Sequence, residues 1–282
     1  MRTREEIARE WEEAFGCADP AERSANARKW IPYYSFLAGR QAGRPFDASA
    51  DPDGVTAELE SSGLIYPGSR VLDIGAGMGD RALRFAARGA DVTAVELCPA
   101  CCDLMEIRAG ESERVSVIRS AWEDFQAPEG SFDLVFASMC PAICGFEELL
   151  RMEALSRGSC AIVTVLPGSY DLRRREMMSE LGIRPRGMVT PGDRYAEALE
   201  ALGRDLSFSV RESRSERSVP AELILEQYPV YFSIFGINEE RSREYLKDYL
   251  ERKAAEGILK DGMLSDESFM RTVLISWKAP KD

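Results

Sequence analysis

The stretch from Val71 to Asp80 holds the residues whose types and spacing are best suited to ligand binding. An apolar run ends in Asp73, and Gly75, Gly77 and Gly79 then occupy every second position before a helix-like segment. Glycine has no Cβ, so its backbone can adopt positive φ and approach a ligand closely. Free N–H groups at a helix start attract anionic groups. The stretch therefore predicts a strand, a tight turn and a helix that together hold a small molecule.

One interpretation of this stretch is the dinucleotide-binding fingerprint, which requires glycine at its first, third and sixth positions. Gly75 and Gly77 occupy the first and third positions, but Asp80 occupies the sixth. A side chain at the sixth position would disturb the close contact between helix and strand. A nicotinamide oxidoreductase is therefore a disfavoured alternative, and an ordinary strand–turn–helix without a ligand is another.

A second apolar strand, residues 91–96, ends in an acid, Glu96. Its carboxylate can accept hydrogen bonds from both hydroxyls of a ribose. The spacing Asp-x-Gly-x-Gly-x-Gly, followed by this acid, resembles motif I of class I S-adenosylmethionine (SAM)-dependent methyltransferases. The resemblance is strong over residues 55–166 and weak over the last two strands. It implies SAM as the methyl donor and S-adenosylhomocysteine (SAH) as the product.

The resemblance also implies which positions contact SAM. Members of the family usually carry an Asp after the third strand that binds the adenine amino group, whereas this sequence has Ser120 or Ala121 there. Ser120 or a backbone carbonyl is expected to replace the Asp, and Trp122 either stacks on adenine or packs in the core. The predicted cofactor-binding residues are Asp73, Gly75, Ala76, Gly77, Gly79, Glu96, Leu97, Ser120, Ala121, Trp122 and Ser138.

The loop after the fourth strand faces the transferred methyl group in this family. It contains a single proline, Pro141, without an aromatic partner, which disfavours methylation of adenine or glutamine amides. No catalytic residue is assigned, and the candidates for contact with the acceptor are Ser138, Cys140, Tyr228 and Tyr231. The chain has no histidine, the usual general base near neutral pH. A soft or already deprotonated acceptor would need no base.

The seven cysteines are expected to be thiols. Cys98 and Cys101 have the Cys-x-x-Cys spacing of a metal site, which Cys140 and Cys144 would complete. We nevertheless predict no metal site, because Cys98 stands where the family often has serine and small buried cysteines are common.

Alternation of apolar strands and helical patterns predicts an α/β fold with a doubly wound, mostly parallel sheet. Seven strands are expected in the order 3-2-1-4-5-7-6, with the last strand antiparallel. The predicted strands are 70–74, 91–96, 115–119, 132–137, 160–166, 206–213 and 269–277. The predicted helices are 4–15, 55–64, 80–88, 100–109, 146–155, 172–181, 191–202 and 238–256.

Three regions are expected: an N-terminal helical arm (1–50), a SAM-binding domain (51–218 and 267–282) and a helical lid inserted between strands six and seven (219–266). Rings of the arm, namely Trp30, Tyr33, Tyr34 and Phe36, line the pocket or merely attach the arm. The lid covers the active-site mouth and suggests a hydrophobic or planar acceptor, or it is a cap or dimer contact without a substrate role.

The net charge of −12 disfavours a nucleic-acid substrate. No apolar run approaches the ~20 residues of a membrane span, and the charged N-terminus is not a signal peptide. The sequence therefore predicts a cytoplasmic, monomeric or homodimeric methyltransferase that acts on a small molecule. The alternatives are an RNA or protein methyltransferase and a SAM-binding protein without catalysis.

Overall fold

One sheet runs through the computed structural model, which describes residues 3–15, 20–183 and 191–280. Within those residues the sheet has nine strands. They are β1 (Arg70–Ile74), β2 (Asp91–Glu96), β3 (Val115–Arg119), β4 (Phe132–Ser138), β5 (Ser156–Val165), β6 (Tyr170–Asp171), β7 (Leu206–Pro220), β8 (Leu259–Lys260) and β9 (Met263–Lys278).

Helices connect most of these strands. They are α1 (Arg4–Phe15), α2 (Pro20–Arg28), α3 (Ile31–Gln41), α4 (Val55–Ser61), α5 (Asp80–Ala87), α6 (Pro99–Ala109), α7 (Phe146–Leu155), α8 (Leu172–Glu180), α9 (Gly192–Ala201), α10 (Ala221–Ser233) and α11 (Glu239–Ala255).

The predicted fold class is confirmed. Strands β3-β2-β1-β4-β5 are parallel neighbours, and β9 follows β5 in antiparallel orientation. The strand count is nine rather than seven, because the two-residue strands β6 and β8 also pair with β9.

The last two long strands extend beyond their predicted ends. Strand β7 pairs with β9 without interruption from Leu206 opposite Trp277 to Pro220 opposite Met263. The sequence pattern missed the outer half of this ribbon because its residues are mostly charged or polar and exposed. Backbone hydrogen bonds between β7 and β9, rather than burial of an apolar face, hold the outer half of these strands together.

Side chains of β1 alternate between two cores, as the two-residue period of a strand requires. Leu72 and Ile74 join the core packed by α1, α7 and α9, whereas Val71 joins the core packed by α4, α5 and α6. Helices on both faces bury the central strands and hold their carboxyl ends at one edge, where open α/β sheets bind ligands.

A third apolar cluster joins α3, α8, α10 and α11, which we call the helical cap. It contains Tyr33 of α3, Met177 of α8, Tyr231 and Phe232 of α10, and Tyr249 of α11. Helix α3 also packs on α6 through Ala38, Cys101 and Leu104. The cap therefore sits beside the carboxyl edge of the sheet. Within the described residues, no helix combines the length and apolar character needed to cross a membrane.

Candidate cofactor-binding and active site

The turn between β1 and α5 requires glycine at two points. Gly75 has φ +66°, and a Cβ there would lie 2.6 Å from the Cys140 sulfur. Gly79 precedes α5 with φ +83°, and a Cβ there would overlap Met105. Amides of Gly75 and Ala76 donate to the carbonyl of Val95 at 2.9 and 3.1 Å, which fixes the turn against β2.

Beside this turn lies a cavity of about 410 Å³ at the carboxyl ends of β1, β2, β3 and β4. All predicted cofactor-binding residues except Gly79 line it. The full wall consists of Ala27, Trp30, Ile31, Tyr34, Pro52, Asp53, Asp73, Gly75, Ala76, Gly77, Met78, Asp80, Arg81, Arg84, Val95, Glu96, Leu97, Cys98, Ser120, Ala121, Trp122, Glu123, Ser138, Met139, Cys140, Pro141 and Ala142.

The carboxylate of Asp73 is unusual because one of its buried oxygens has no hydrogen-bond partner in the described part of the protein. The residue is 1% exposed, and its Oδ2 has no hydrogen-bond partner within the protein. Burial raises its pKa to about 7; Arg81 opposes that shift, whereas Glu96 adds to it. Buried polar atoms are normally hydrogen-bonded. An unpartnered acceptor on a cavity wall therefore indicates a site for a donor from a ligand, such as an ammonium group.

Two backbone amides, one in the glycine turn after β1 and one at the N-cap of α6, hold the carboxylate of Glu96 in place. Its Oε2 accepts the amide N–H of Gly77 at 2.8 Å, and its Oε1 accepts that of Cys98 at 2.7 Å. Burial raises the pKa of this carboxyl, and the two amides oppose the shift. Each carboxylate oxygen has a second lone pair, so the residue can also accept hydrogen bonds from a diol in the cavity.

The cavity wall carries an excess of negative charge. Five acids, Asp53, Asp73, Asp80, Glu96 and Glu123, face two arginines. Arg81 forms ion pairs with Asp51 and Asp53, and Arg84 donates to the carbonyls of Asp47 and Ala50. A cationic ligand suits this wall, whereas the pyrophosphate of a dinucleotide would be repelled.

The loop after β3 contributes residues 120–123 to the cavity wall. Trp122 donates from its indole N–H to Glu148, stacks on Phe125 with 6.2 Å between ring centroids, and lies 3.9 Å from the Arg151 guanidinium. Protein groups thus occupy most of its surface, and only part of it reaches the cavity. Beside it, the Ser120 hydroxyl donates to the Ala121 carbonyl at 2.9 Å.

Ser138, the last residue of β4, and Cys140, in the loop that follows, both line the cavity. Between them, Met139 has φ +50°, a strained value for a residue with a side chain, and its amide donates to Val163 at 2.8 Å. Burial raises the pKa of Cys140 to about 12. Its sulfur is therefore a neutral thiol at physiological pH.

The structure does not bring Tyr228 and Tyr231 into this cavity. Tyr231 packs on Trp30 and Tyr33, with ring centroids 6.3 and 5.2 Å apart. Tyr228 lines a separate cavity of about 260 Å³ beside Arg173, Arg174 and Arg217. The reason is that α10 packs on the outer side of α3, so that α3 lies between the predicted lid and the cavity.

Both the N-terminal arm and the lid were candidates for the cavity wall, and among the described residues the arm contributes to it whereas the lid does not. Trp30, Ile31 and Tyr34 line the cavity, whereas Tyr33 belongs to the helical cap. Residues that no motif indicated also line it, namely Asp53, Arg81, Met139 and Glu123. Glu123 directly follows the predicted adenine-binding positions. An acidic residue so close to the position where the family usually has an Asp is the sequence feature that could have indicated its place on the wall.

The cysteines of the described residues do not form a metal-binding group. Cys98, Cys101, Cys102, Cys140 and Cys160 are buried thiols, and Cys144 is buried as well. In the described part of the chain, no three Cys, Asp or Glu side chains are grouped as a metal site requires.

A comparison with known protein families matches residues 71–156 to a family model described as a methyltransferase domain. The chain matches no curated protein by sequence. The predicted resemblance to class I SAM-dependent methyltransferases is confirmed by this domain match together with the fold.

Several solved structures share the fold. A putative methyltransferase from Bacillus halodurans has 15% identity and a TM-score of 0.52, covering 81% of this chain and 100% of that one. A putative methyltransferase from an antibiotic biosynthesis pathway of Anabaena variabilis has 20% identity and a TM-score of 0.51, covering 80% and 98%. Phosphoethanolamine N-methyltransferase 2 of Haemonchus contortus, solved with SAH, has 17% identity and a TM-score of 0.51, covering 90% and 58%.

Proposed function

We propose that this protein is a SAM-dependent methyltransferase acting on a small hydrophobic or planar molecule. The observation that carries the proposal is the unpartnered Oδ2 of buried Asp73 on the wall of an acidic cavity beside the glycine turn. SAM carries a sulfonium and an ammonium group against one carboxylate, so its net positive charge complements that wall.

The residues present fit each part of this cofactor. Asp73 is suited to the ammonium group of the methionine moiety, and Glu96 to the two ribose hydroxyls. The loop from Ser120 to Glu123 is suited to adenine. The carboxylate of Glu123 is available to accept from the adenine amino group, in place of the Asp that the family usually has one or two residues earlier.

When bound, SAM supplies an electrophilic methyl group, and the chain must align an acceptor with it and exclude water. Trp30, Ile31 and Tyr34 form an apolar wall on one side, and the loop of Met139 and Pro141 forms another. Cys140 stays protonated, so it serves as a wall rather than as a nucleophile.

The shape of the cavity supports a small acceptor rather than a polymer. Helix α3 is anchored on both sides, by the helical cap and by α6, and it covers the carboxyl edge of the sheet. The rings of Trp30 and Tyr34 lie 6.1 Å apart, and their faces suit an apolar or planar molecule.

Two assays test the proposal. Isothermal titration calorimetry should detect binding of SAM and SAH but not of NADH. Mass spectrometry should then detect methyl transfer from SAM to a member of a small-molecule panel of thiols, phenols and amines, and not to bulk RNA or protein. NADH binding without SAM binding would overturn the proposal. SAM binding with transfer to RNA or protein alone would overturn the acceptor class.

A further inference from the structure

Near its start, helix α8 carries three consecutive arginines, Arg173, Arg174 and Arg175, in a chain whose net charge is −12. Adjacent residues of a helix do not face each other, so the three guanidinium groups have different surroundings. Arg175 lies over the ring of Tyr170, with 5.0 Å between its Cζ and the ring centroid. Arg173 and Arg174 instead line the cavity of about 260 Å³, which shares no wall residue with the cofactor cavity.

The cavity has three arginines on its wall, and two of them are held by carboxylates. Arg173 pairs with Glu176 at 2.9 Å. Arg217, from β7, pairs with Asp171 at 2.5 Å and with Asp266 at 2.8 Å. Asp266 is the one acidic residue among the described residues of this wall. These pairs compensate the charge of both guanidinium groups and fix their positions.

Arg174 has no comparable partner among the described residues. Its one ion pair there is with Asp171 Oδ2 at 4.0 Å, and Arg217 already holds that oxygen at 2.5 Å. One face of its guanidinium lies over Tyr231, with 5.0 Å between Cζ and the ring centroid, and its Nε is buried without a hydrogen-bond partner in the described part of the chain. Buried polar groups are normally satisfied. The Arg174 side chain is 34% exposed and lines the cavity, so an acceptor that enters the cavity can reach it.

The rest of the wall combines an apolar part with polar groups. Met177 of α8, Ile224 of α10 and Leu264 of β9 are buried and line the cavity. Gln227 and Tyr228 of α10 supply polar groups beside them. A volume of about 260 Å³ is below the range of drug-sized pockets. The cavity is therefore suited to a small molecule that has an anionic end and an apolar end.

We propose that this cavity is a second binding site, which takes a small carboxylate with an apolar body, such as a short fatty acid. The carboxylate pairs with Arg174, because a guanidinium matches the geometry of a carboxylate with two parallel hydrogen bonds. The apolar end lies against Met177, Ile224 and Leu264. The site does not depend on the proposed function, because its basic wall is unsuited to a cationic cofactor.

Isothermal titration calorimetry of the full-length protein with hexanoate tests the site. Arg174→Gln removes the charge, and Arg175→Gln is the matched control, because it removes the neighbouring charge outside the cavity. The wild type and the control should bind one hexanoate per chain with equal affinity. The Arg174→Gln variant should bind at least about tenfold more weakly, since it loses a hydrogen bond between charged groups. Absence of hexanoate binding to the wild type, or equal affinity in all three proteins, would overturn the site.

Two related probes test the chemistry of the ligand. Hexylammonium has the same chain with the opposite charge, and acetate has the same carboxylate without four methylene groups. Each should bind the wild type at least about tenfold more weakly than hexanoate, because repulsion opposes the first and the second buries less apolar surface. Equal binding of hexylammonium would overturn recognition of a carboxylate. Equal binding of acetate would overturn the apolar part of the site.

A second variant decides the site if Arg174→Gln does not fold. Ser218 is an exposed residue of β7 on the cavity wall, so its replacement leaves the buried packing unchanged. Ser218→Glu adds a negative charge to the wall and should weaken hexanoate binding about fivefold through repulsion between like charges. Ser218→Gln, of similar size but uncharged, should bind more tightly than Ser218→Glu. Equal hexanoate affinity in these two variants would place the bound carboxylate outside this cavity.

Discussion

Asp73 in the cavity and Glu176 in the helical cap are carboxylates with opposite surroundings. In the cavity, Asp73 keeps a buried oxygen without a partner, on the same wall as Glu96. In the cap, Glu176 accepts from both Lys253 and Tyr249 and also pairs with Arg173. A buried acceptor without a partner in the protein can accept from a ligand, whereas a satisfied one stabilises packing. This contrast supports the proposal that the cavity binds an external molecule, while the cap packs against one of its walls.

Aromatic rings show the same division. A continuous set of ring contacts runs through the cap from Tyr33 through Tyr231 and Phe232 to Tyr245 and Tyr249. Among the described residues, the rings of Trp30 and Tyr34 are the ones that both contact this set and line the cavity. A high density of aromatic residues in a sequence segment therefore does not by itself indicate a binding surface, because most of these rings pack against one another.

The largest expected effect on the cavity comes from Glu96→Ala. This change removes the acceptor for the ribose hydroxyls and leaves the amides of Gly77 and Cys98 without their partner. Two hydrogen bonds to a charged group amount to about 3 kcal/mol or more, so SAM affinity should fall by more than about 100-fold. Isothermal titration calorimetry measures the SAM affinity of each protein. The Glu96→Gln variant retains one acceptor oxygen, so its SAM affinity should fall by a smaller factor. Equal affinity in all three proteins would remove Glu96 from the site.

The pH dependence of the free protein should reveal the buried Asp73. Its pKa is raised from 3.8 to about 7 on folding, so its contribution to stability is fully present below pH ~4 and is lost as the pH rises through 7. The loss is at most about 4 kcal/mol, because one pKa unit corresponds to about 1.4 kcal/mol.

Urea unfolding of the wild type and Asp73→Asn between pH 4.5 and 7.5 measures this loss, because other titrating groups cancel in the difference. The wild type should lose stability relative to the variant as the pH rises. Parallel curves would show that Asp73 is not desolvated as the structure indicates.

Gly75→Ala should destabilise the turn by about 2 kcal/mol or more. Positive φ costs a residue with a Cβ about 1–2 kcal/mol, and the new methyl group must also displace the Cys140 sulfur. Gly43→Ala is the matched control, because its φ of +71° is similar but a Cβ there meets open space. Urea unfolding should give a larger loss for Gly75. Equal losses would mean that the contact with Cys140 does not constrain this turn.

Tyr228→Phe should have the smallest effect. Its ring lines the second cavity beside Arg174 rather than the cofactor cavity, so SAM affinity and the rate of methyl transfer should change by less than about twofold. Tyr34→Phe is the comparison within the cofactor cavity wall. A transfer rate that falls for Tyr228→Phe with unchanged unfolding would place the lid at the active site after all.

Much of the fold was predictable because its signals are local. Strands β1, β2 and β3 begin and end at the predicted residues, since each is an apolar run bounded by turn residues. Helix α10 was not predicted as a helix, because Pro229 lies in its interior and proline normally ends a helix. Burial of Ile224, Tyr231 and Phe232 in the cap outweighs that local cost.

The residues of the candidate site also fall into those that a local sequence pattern indicates and those that it does not. Asp73, Glu96 and the glycines could be predicted because they directly follow strands whose ends meet at one edge. Tyr228 and Tyr231 were misplaced because their position depends on which side of α3 the helix α10 packs, and no local pattern encodes that choice. The unpartnered oxygen of Asp73 is likewise a product of tertiary packing.

The measurement that tests the central claim most directly is calorimetric binding of SAM to the wild type and to Asp73→Asn. The variant keeps the size of the side chain but has one acceptor oxygen and no charge. We predict that the wild type binds SAM and that the folded variant binds at least about tenfold more weakly, since a hydrogen bond to a charged group is worth about 1.5–3 kcal/mol. Equal affinity in the two proteins would contradict the assignment of Asp73 to the cofactor's ammonium group.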